Sequence, residues 1–431
     1  MSRTRVILIG ILMELCYVAI TFVHDPLTDI AAFIAVNGLN FLLLAVAVAW
    51  FHRQAQPAPG HPWTAALIIA FGVLFRLTLL THGPVASDDI YRYIWDGKVA
   101  AHGINPFAFA PSDTALHSLR TDVLPEKVNH PAMRTVYPPL AQGLFLLSQM
   151  LFGDSIPGMK FLLVVCDITS LGLLLFLLRK LGQPPEGVMV YAWSPLPVMY
   201  FGIDGHIDAL GVLLMLLFLL LLVKNRPVLA ALALGGAALA KLVPLILAPL
   251  GMRSLRDVRR MWIPIVTVAV VAAGYWFYVE PTGGLFESLA VFGSRWEFNG
   301  SVFEIVYAIV RSNEAAHAVC GGATLLWILG VFLIDRTIAE KVFLIFLGMV
   351  LFAPVVHPWY LTWIAALLAL RWSTAVFILL GLSNLSNLVV YHYHLTGVWQ
   401  QSTLMLLMEY VPFYAVLMWE VMKGQFGRRS T

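Results

Sequence analysis

Ser87-Asp88-Asp89-Ile90-Tyr91-Arg92-Tyr93-Ile94-Trp95-Asp96-Gly97-Lys98 follows directly on an apolar tract and runs on to Gly103-Ile104-Asn105-Pro106-Phe107. Ionisable groups at the mouth of a hydrophobic segment are costly to desolvate, so they are paired or put to use. One bland role is available to the first two acids: Asp88 or Asp89 at a helix start accepts backbone N–H bonds near the positive end of the helix dipole. One of the two is expected to do that. Five more clusters of polar and aromatic residues recur down the chain: Tyr137-Pro138-Pro139-Leu140, the Gly-Ile-Asp-Gly-His-Ile-Asp run at 202–208 with His206 and Asp208, Lys241, Arg295-Trp296-Glu297-Phe298-Asn299-Gly300, and His357-Pro358-Trp359-Tyr360. Each has a structural reading too. A proline pair starts a helix without losing a hydrogen bond, and His206 and Asp208 can cap the helix that follows. His357, Trp359 and Tyr360 suit an interfacial aromatic belt. Lys241 is harder to place so, because a lysine in an Ala/Leu-rich helix costs a few kcal/mol unless it reaches water, a carboxylate or a phosphate.

These residues must be positioned by membrane helices. Of the 431 residues 60% are hydrophobic and only 12% charged, with a mean hydropathy of +0.83. A soluble domain has about twice that charged fraction, so the composition is that of a polytopic membrane protein. The formal net charge of +3 says little, and no basic run points to nucleic acid. Cys16, Cys166 and Cys320 each lie inside an apolar segment, without a CxxC or Cys/His cluster, which excludes a disulfide framework and a zinc site. The apolar N-terminal tract is too long for a cleaved signal and lacks a small-residue exit, so it reads as a retained span.

Spans of about 20 apolar residues fall near 6–24, 30–51, 63–82, 158–179, 187–203, 207–223, 262–279, 315–334, 342–356, 359–370, 373–390 and 402–422. One alternation puts Arg3/Arg5, Arg53, Arg179/Lys180, Lys224/Arg226, Arg253/Arg256/Arg259/Arg260, Arg336/Lys341, Arg371 and Lys423/Arg428/Arg429 on one face. By the positive-inside rule that face, with both termini, is cytoplasmic. The opposite loops carry Asp25, Asp29, Asp88, Asp89, Asp96, Asp204, Asp208, Glu280, Glu287, Glu297, Glu304 and Glu314. Parity then makes 137–153 an interfacial helix begun by the proline pair. It also folds 227–250 back as a hairpin of two short helices with Lys241 near the bend. The expectation is an all-α polytopic membrane protein of about 12–14 transmembrane helices. Two N-terminal spans (1–60) precede a catalytic membrane domain (61–430), with outer loops at 83–157 and 280–314; such long loops are usually functional.

Carboxylates, a lysine, histidines and aromatics on one face of a bilayer suit glycosyl transfer from a lipid-borne donor. A positioned carboxylate can take the proton of an attacking sugar hydroxyl, and Lys or Arg can meet charge growing on a phosphate leaving group. A nucleotide-sugar donor would demand a cytoplasmic soluble domain, and the sequence has none. A rival from another class is a transporter or lipid flippase, but transporters gather ionisable residues at the midplane of paired repeats, and no repeat is visible. A third reading is a glycan polymerase or ligase acting on lipid pyrophosphate.

The motifs quoted above, with Gly205-His206-x-Asp208, Lys241-x-x-Pro244 and Phe298-Asn299-Gly300, make the chain resemble the GT-C superfamily of integral-membrane glycosyltransferases. The resemblance covers about residues 63–422 and is nearest to the bacterial polyprenol-phosphate-mannose-dependent mannosyltransferase-like branch. The arrangement is also similar to that of the first mannosyltransferase of GPI-anchor synthesis. It implies a GT-C-like fold with interfacial helices in the first outer loop and a catalytic carboxylate there, Asp88 or Asp89, with Asp88 slightly preferred. It implies transfer of a hexose, mannose foremost, from a polyprenyl-phosphate sugar to an extracytoplasmic glycan, lipid or protein acceptor, with inversion at the anomeric carbon. Lys241, Arg92 and Arg295 are then candidates for the lipid phosphate. Tyr93, Asp96, Tyr137, His206, Asp208, Asn299, His357 and Tyr360 are candidates for donor and acceptor contacts. Many lipid-phosphate users of this superfamily work without metal, and a divalent cation held by Asp88 and Asp89 is the alternative. Several relatives carry Asp-x-Asp or Glu where this chain has Asp-Asp, so the base is one of two neighbours.

Overall fold

A computed structural model describes residues 3–53, 62–251, 261–279 and 284–424. Arg253, Arg256, Arg259, Arg260, Glu280, Arg428 and Arg429, used above to orient the chain, lie outside the described residues. Among the described residues the architecture is all helical, with one isolated β-bridge between Phe298 and Val355. Five helices among the described residues are long and apolar enough to cross a membrane: Leu27–His52, Ile156–Lys180, Asn313–Leu333, Thr374–Thr396 and Thr403–Met422. Six more apolar helices are shorter, at 10–17 residues: Trp63–Thr78, Pro139–Phe152, Asp208–Val223, Pro227–Ala240, Trp262–Trp276 and Pro358–Leu368. The chain is a polytopic all-α membrane protein.

Local chemistry decides where these helices break. The expected span at 187–203 is three pieces, Pro185–Val188, Met189–Ala192 and Pro195–Gly202. Pro195 lacks an N–H and pushes Ser194 out of helical geometry, so the segment cannot run straight through. Pro139–Phe152 begins as its sequence predicts, with Pro138 as N-cap and Pro139 in the first turn, and stops at Gly153, whose φ of 61° needs no Cβ. The 227–250 segment does turn back. Pro227–Ala240 ends at Lys241 in extended backbone (φ −157°, ψ 130°), and a 3₁₀ stretch, Val243–Gly251, packs back against it.

The helices form two compact units. One comprises 1–78, 174–198 and 295–431; the other comprises 79–173 and 199–294. In the first, Pro26–His52 packs on the 383–396 segment, and Asn384 donates to the Ile34 carbonyl at 2.8 Å. In the second, Pro227–Ala240 lies between Asp208–Val223 and Trp262–Trp276, and Asp89–Ala101 crosses Pro139–Phe152. That crossing is close enough that a Cβ on Gly97 would stand 2.4 Å from the Phe145 carbonyl oxygen. Tyr93, one turn earlier, stacks on the Phe145 ring at 4.5 Å and 9°.

Gly97 is therefore the residue on which the crossing depends. Gly97→Ala should lower stability by about 1–3 kcal/mol, the usual cost of overpacking, in detergent thermal unfolding. Gly143→Ala, where a Cβ meets nothing within 4 Å, should not lower it.

Candidate active site

The second unit assembles its site on a buried charged frame that sequence reading passed over. Lys160, in the second turn of Ile156–Lys180, is 0% exposed and donates to the carbonyls of Leu79 (3.2 Å), His82 (2.5 Å) and Gly202 (2.8 Å). Asp204, also fully buried, accepts from the backbone N–H of Val85 (2.7 Å) and Ala86 (3.0 Å). Burial pushes its carboxyl up to about 7, against those bonds and the charge of Lys160. The two side chains thus fasten the 79–87 turn and the 202–204 turn on either side of Ser87-Asp88-Asp89. Gly205 completes the second turn at φ 72°, where a Cβ would meet Ile90 at 2.6 Å and Lys160 at 2.9 Å.

Asp88 stands at the N-cap position of Asp89–Ala101 but makes no side-chain cap bond; Ser87 Oγ accepts the Asp89 N–H instead, at 3.3 Å. The expected capping role is displaced because both carboxylates are drawn to one amide. Asn129 Nδ2 donates to Asp88 Oδ1 at 3.0 Å and to Asp89 Oδ1 at 2.8 Å. Asp88 is exposed, whereas Asp89 keeps only 21% of its side-chain surface. The buried His206 ring places Nδ1 3.7 Å from Asp89 Oδ2, and the Tyr137 side chain hydrogen-bonds Asp89 as well. Burial raises the Asp89 carboxyl to about 6; the charge of Asp88 adds to the rise, while Asn129, Lys241 and Tyr137 oppose it.

Lys241, at the hairpin bend, meets Asp208 Oδ1 at 2.7 Å, so of water, carboxylate and phosphate it reaches a carboxylate. Asp208 is 1% exposed in the first turn of its helix, and Lys241 keeps 23% of its side chain open. Tyr93 joins the two carboxylate regions: its hydroxyl accepts the Ile207 N–H at 3.5 Å, bonds to Tyr137, and its ring meets that of Tyr137 edge-on at 4.8 Å. Asp96 and Arg92 serve the frame. Asp96, 2% exposed, accepts from Gln142 Nε2 at 3.0 Å, and Gln142 also donates to Thr135 Oγ1 and the Tyr137 carbonyl. Arg92, 5% exposed, donates to the carbonyls of Asn129, His130 and Met133. Asn105 ties its loop to the Tyr278 carbonyl at 3.2 Å. Next to Tyr278 an open apolar cleft of about 320 Å³ is lined by Pro139, Leu140, Leu239, Gly274 and Phe277, with Leu239 two residues before Lys241. Among the described residues no three of His, Cys, Asp and Glu converge as metal ligands would.

The later motifs gather in the first unit. Asn299, 0% exposed at φ 53°, takes Gln401 Oε1 on its N–H at 2.6 Å and the Tyr410 hydroxyl on its carbonyl at 2.6 Å. Its Nδ2 reaches both oxygens of the buried Glu409, at 3.1 and 3.2 Å. His357 is sandwiched between Phe298 (4.6 Å) and Trp359 (4.2 Å, 6°), with Tyr360 edge-on at 5.4 Å. Arg295 is exposed at the end of Glu287–Arg295. Sequence reading missed Lys160, Asp204, Asn129, Gln142 and Glu409. Lys160 and Glu409 were findable by the rule that singled out Lys241, since each is a charge inside an apolar segment. Asn129 and Gln142 give no such signal.

Asp89 is thus a carboxylate poised near neutrality beside a lysine–carboxylate pair, a combination that can take a proton and stabilise an anion in one place. Residues 12–255, which include all the second-unit residues just described up to Lys241, match the family described as alpha-(1->6)-mannopyranosyltransferase, N-terminal domain. The chain is also similar to alpha-(1->6)-mannopyranosyltransferase A of Mycobacterium tuberculosis, 25% identical over 399 residues that cover 80% of this chain and 75% of that protein. Over half its length, and with the acidic helix and the lysine hairpin inside the matched region, the chain belongs to the alpha-(1->6)-mannopyranosyltransferase family of membrane glycosyltransferases.

Proposed function

We propose that the protein transfers mannose from a polyprenyl-phosphate donor to the 6-hydroxyl of a mannoside acceptor on the extracytoplasmic face, with inversion and with Asp89 as general base. The observation that carries this reading is the setting of Asp89: 21% open, raised to about 6, and electrostatically coupled to Lys241. A base is most effective when its pKa lies near the working pH. Asp88 is exposed. In the transfer, the acceptor oxygen bonds to C1 of the donor as the bond from C1 to the phosphate oxygen breaks. The hydroxyl proton passes to Asp89, and polyprenyl phosphate leaves with one more negative charge. Lys241, fixed by Asp208 and partly open, is placed to meet that charge. The apolar cleft ending near Leu239 and Tyr278 suits the first isoprene units. The acceptor's linkage is taken from the name of the mycobacterial relative, and the outer face with cytoplasmic termini from the loop charges.

The test uses purified full-length protein with radiolabelled β-mannosyl polyprenyl phosphate and octyl α-mannoside. An α-linked disaccharide and free polyprenyl phosphate are expected. Intact lipid moved across vesicles without covalent product, or release of a pyrophosphate, would overturn the reading.

Asp89→Asn should lower turnover at least about 100-fold, the range for a lost general base, and Asp88→Asn considerably less. Ionised Asp89 works against folding at neutral pH, because its folded pKa is raised above the unfolded value and protonation favours the fold. The Asn variant should therefore unfold no earlier than wild type at pH 7.5. In the wild type, turnover should fall as pH drops through about 6, measured at saturating donor.

The double variant Lys241→Met, Asp208→Asn, which leaves no buried charge unpaired, should weaken donor binding by about tenfold. Its effect on the acceptor KM should stay within about twofold of wild type, since the lost contact is to phosphate.

A further inference from the structure

We propose that Asn129 is a positioning residue that holds Asp88 and Asp89 in one arrangement, and that Arg92 acts on the site through it. The proposal rests on the reading of Asp89 as base and adds what keeps that base ionised and aimed. Asp88 is the N-cap and Asp89 the first helical residue, and two carboxylates side by side repel. Here the two hydrogens of one amide group serve the two acids, at 3.0 and 2.8 Å, drawing one oxygen of each toward a common point. The amide is held from behind. Asn129 lies in a loop with no helix of its own, followed by His130 at φ 47°. Arg92 sits three residues after Asp89, within reach of an ion pair on the same helix face. Its guanidinium instead donates to the carbonyls of Asn129 (3.3 Å), His130 (3.0 Å) and Met133 (2.9 Å). The line of force runs from Arg92 to the loop backbone, to the Asn129 side chain, to the acid pair.

The other groups facing the pair come from each packed element. They are His206 and Asp208 from the 202–208 turn, Lys241 from the hairpin, Tyr93 from the acidic helix itself, and Tyr137 from the segment before Pro139–Phe152. Asp204 holds the turn before Ser87, and Lys127 lies over the Tyr91 ring at 5.4 Å. Asn129 Nδ2 lies within hydrogen-bond distance of both acids, and the bridging role is assigned to it.

The experiment is the pH profile of mannosyl transfer by the full-length protein carrying Asn129→Ala, Asn129→Asp or Asn129→Gln. Without the bridging donor the acidic limb should move to higher pH by about one unit, with turnover at pH 6 down about fivefold and the donor KM changed less than about twofold. Asn129→Asp should move the limb further, because it sets a third negative charge beside the two. Asn129→Gln retains an N–H donor and should stay near the wild-type limb. A merely structural asparagine predicts the reverse order, with isosteric Asp milder than Ala and no limb moved, and that outcome overturns the proposal. Arg92→Lys, which keeps the charge but loses the fork, should shift the limb in the same direction as Asn129→Ala; an unshifted limb overturns the part assigned to Arg92. Thermal midpoints are measured alongside, and a variant more than a few degrees below wild type is replaced by Asn129→Ser, for which the expectation for Ala holds. If Asp88→Asn and Asp89→Asn both keep full activity, the base reading itself fails. If Asp89→Asn is inactive while every Asn129 limb is unmoved, only the positioning proposal fails.

Discussion

Three carbonyls around one ammonium group set the geometry of the second unit. Lys160, fully buried, draws Leu79, His82 and Gly202 onto one point, and a buried cation left without acceptors is strongly destabilising. Asp204 applies the complementary constraint to the N–H groups of Val85 and Ala86. Because the two act on turns flanking the acid pair, the direction of Asp88 and Asp89 is decided before any substrate contact. The setting of the acid pair follows in part from satisfying two interior charges. A carboxylate kept mostly buried gains from such a frame, since preorganised groups need no rearrangement when charge develops.

The first unit solves a similar problem by a different route. Asn299 adopts a left-handed conformation that a non-glycine residue resists, and its backbone and side chain are bound by Gln401, Tyr410 and Glu409. Gly300 follows, where a Cβ would press on the Ala353 carbonyl at 3.0 Å. The Phe298-Asn299-Gly300 motif is thereby a knot between the 353–356 segment and the last helix. His357 emerges from it as the middle ring of a Phe298–His357–Trp359 stack. The asparagine is internal structure and the stacked ring is its partly exposed face.

Much of this was legible in the chain. The apolar blocks gave the helices, the proline pair at 138–139 placed the start of Pro139–Phe152, the cytoplasmic charge flanking 227–250 foretold the hairpin, and the lysine inside it called for a polar or charged partner. The failures have physical causes. The 187–203 block reads as one span by hydropathy, but Ser194-Pro195 breaks it, because a running average does not register a missing N–H. A cap is expected of Asp88 or Asp89 because a helix start favours one. Asn129, about 40 residues away and without periodicity or charge to mark it, supplied a competing donor. Arg92 and Asp96 looked like site residues for their charge, yet both are nearly buried in the frame. Side-chain type announces that a group needs a partner; only the fold says whether the partner is substrate or backbone.

The placing of Lys160 also bears on how the chain enters the bilayer. The ammonium group lies in the second turn of Ile156–Lys180, about 6 Å along the axis from the helix start. One of its three acceptors, Gly202, lies 42 residues further on. During synthesis this helix therefore emerges after Leu79 and His82 but before the third of its acceptors. A four-carbon stem so near the end can keep the charge among the lipid headgroups until the later segment arrives. The same lysine at the centre of the helix would have no such refuge. Its nearness to the end lets a residue that locks the finished site be carried through insertion without stalling it.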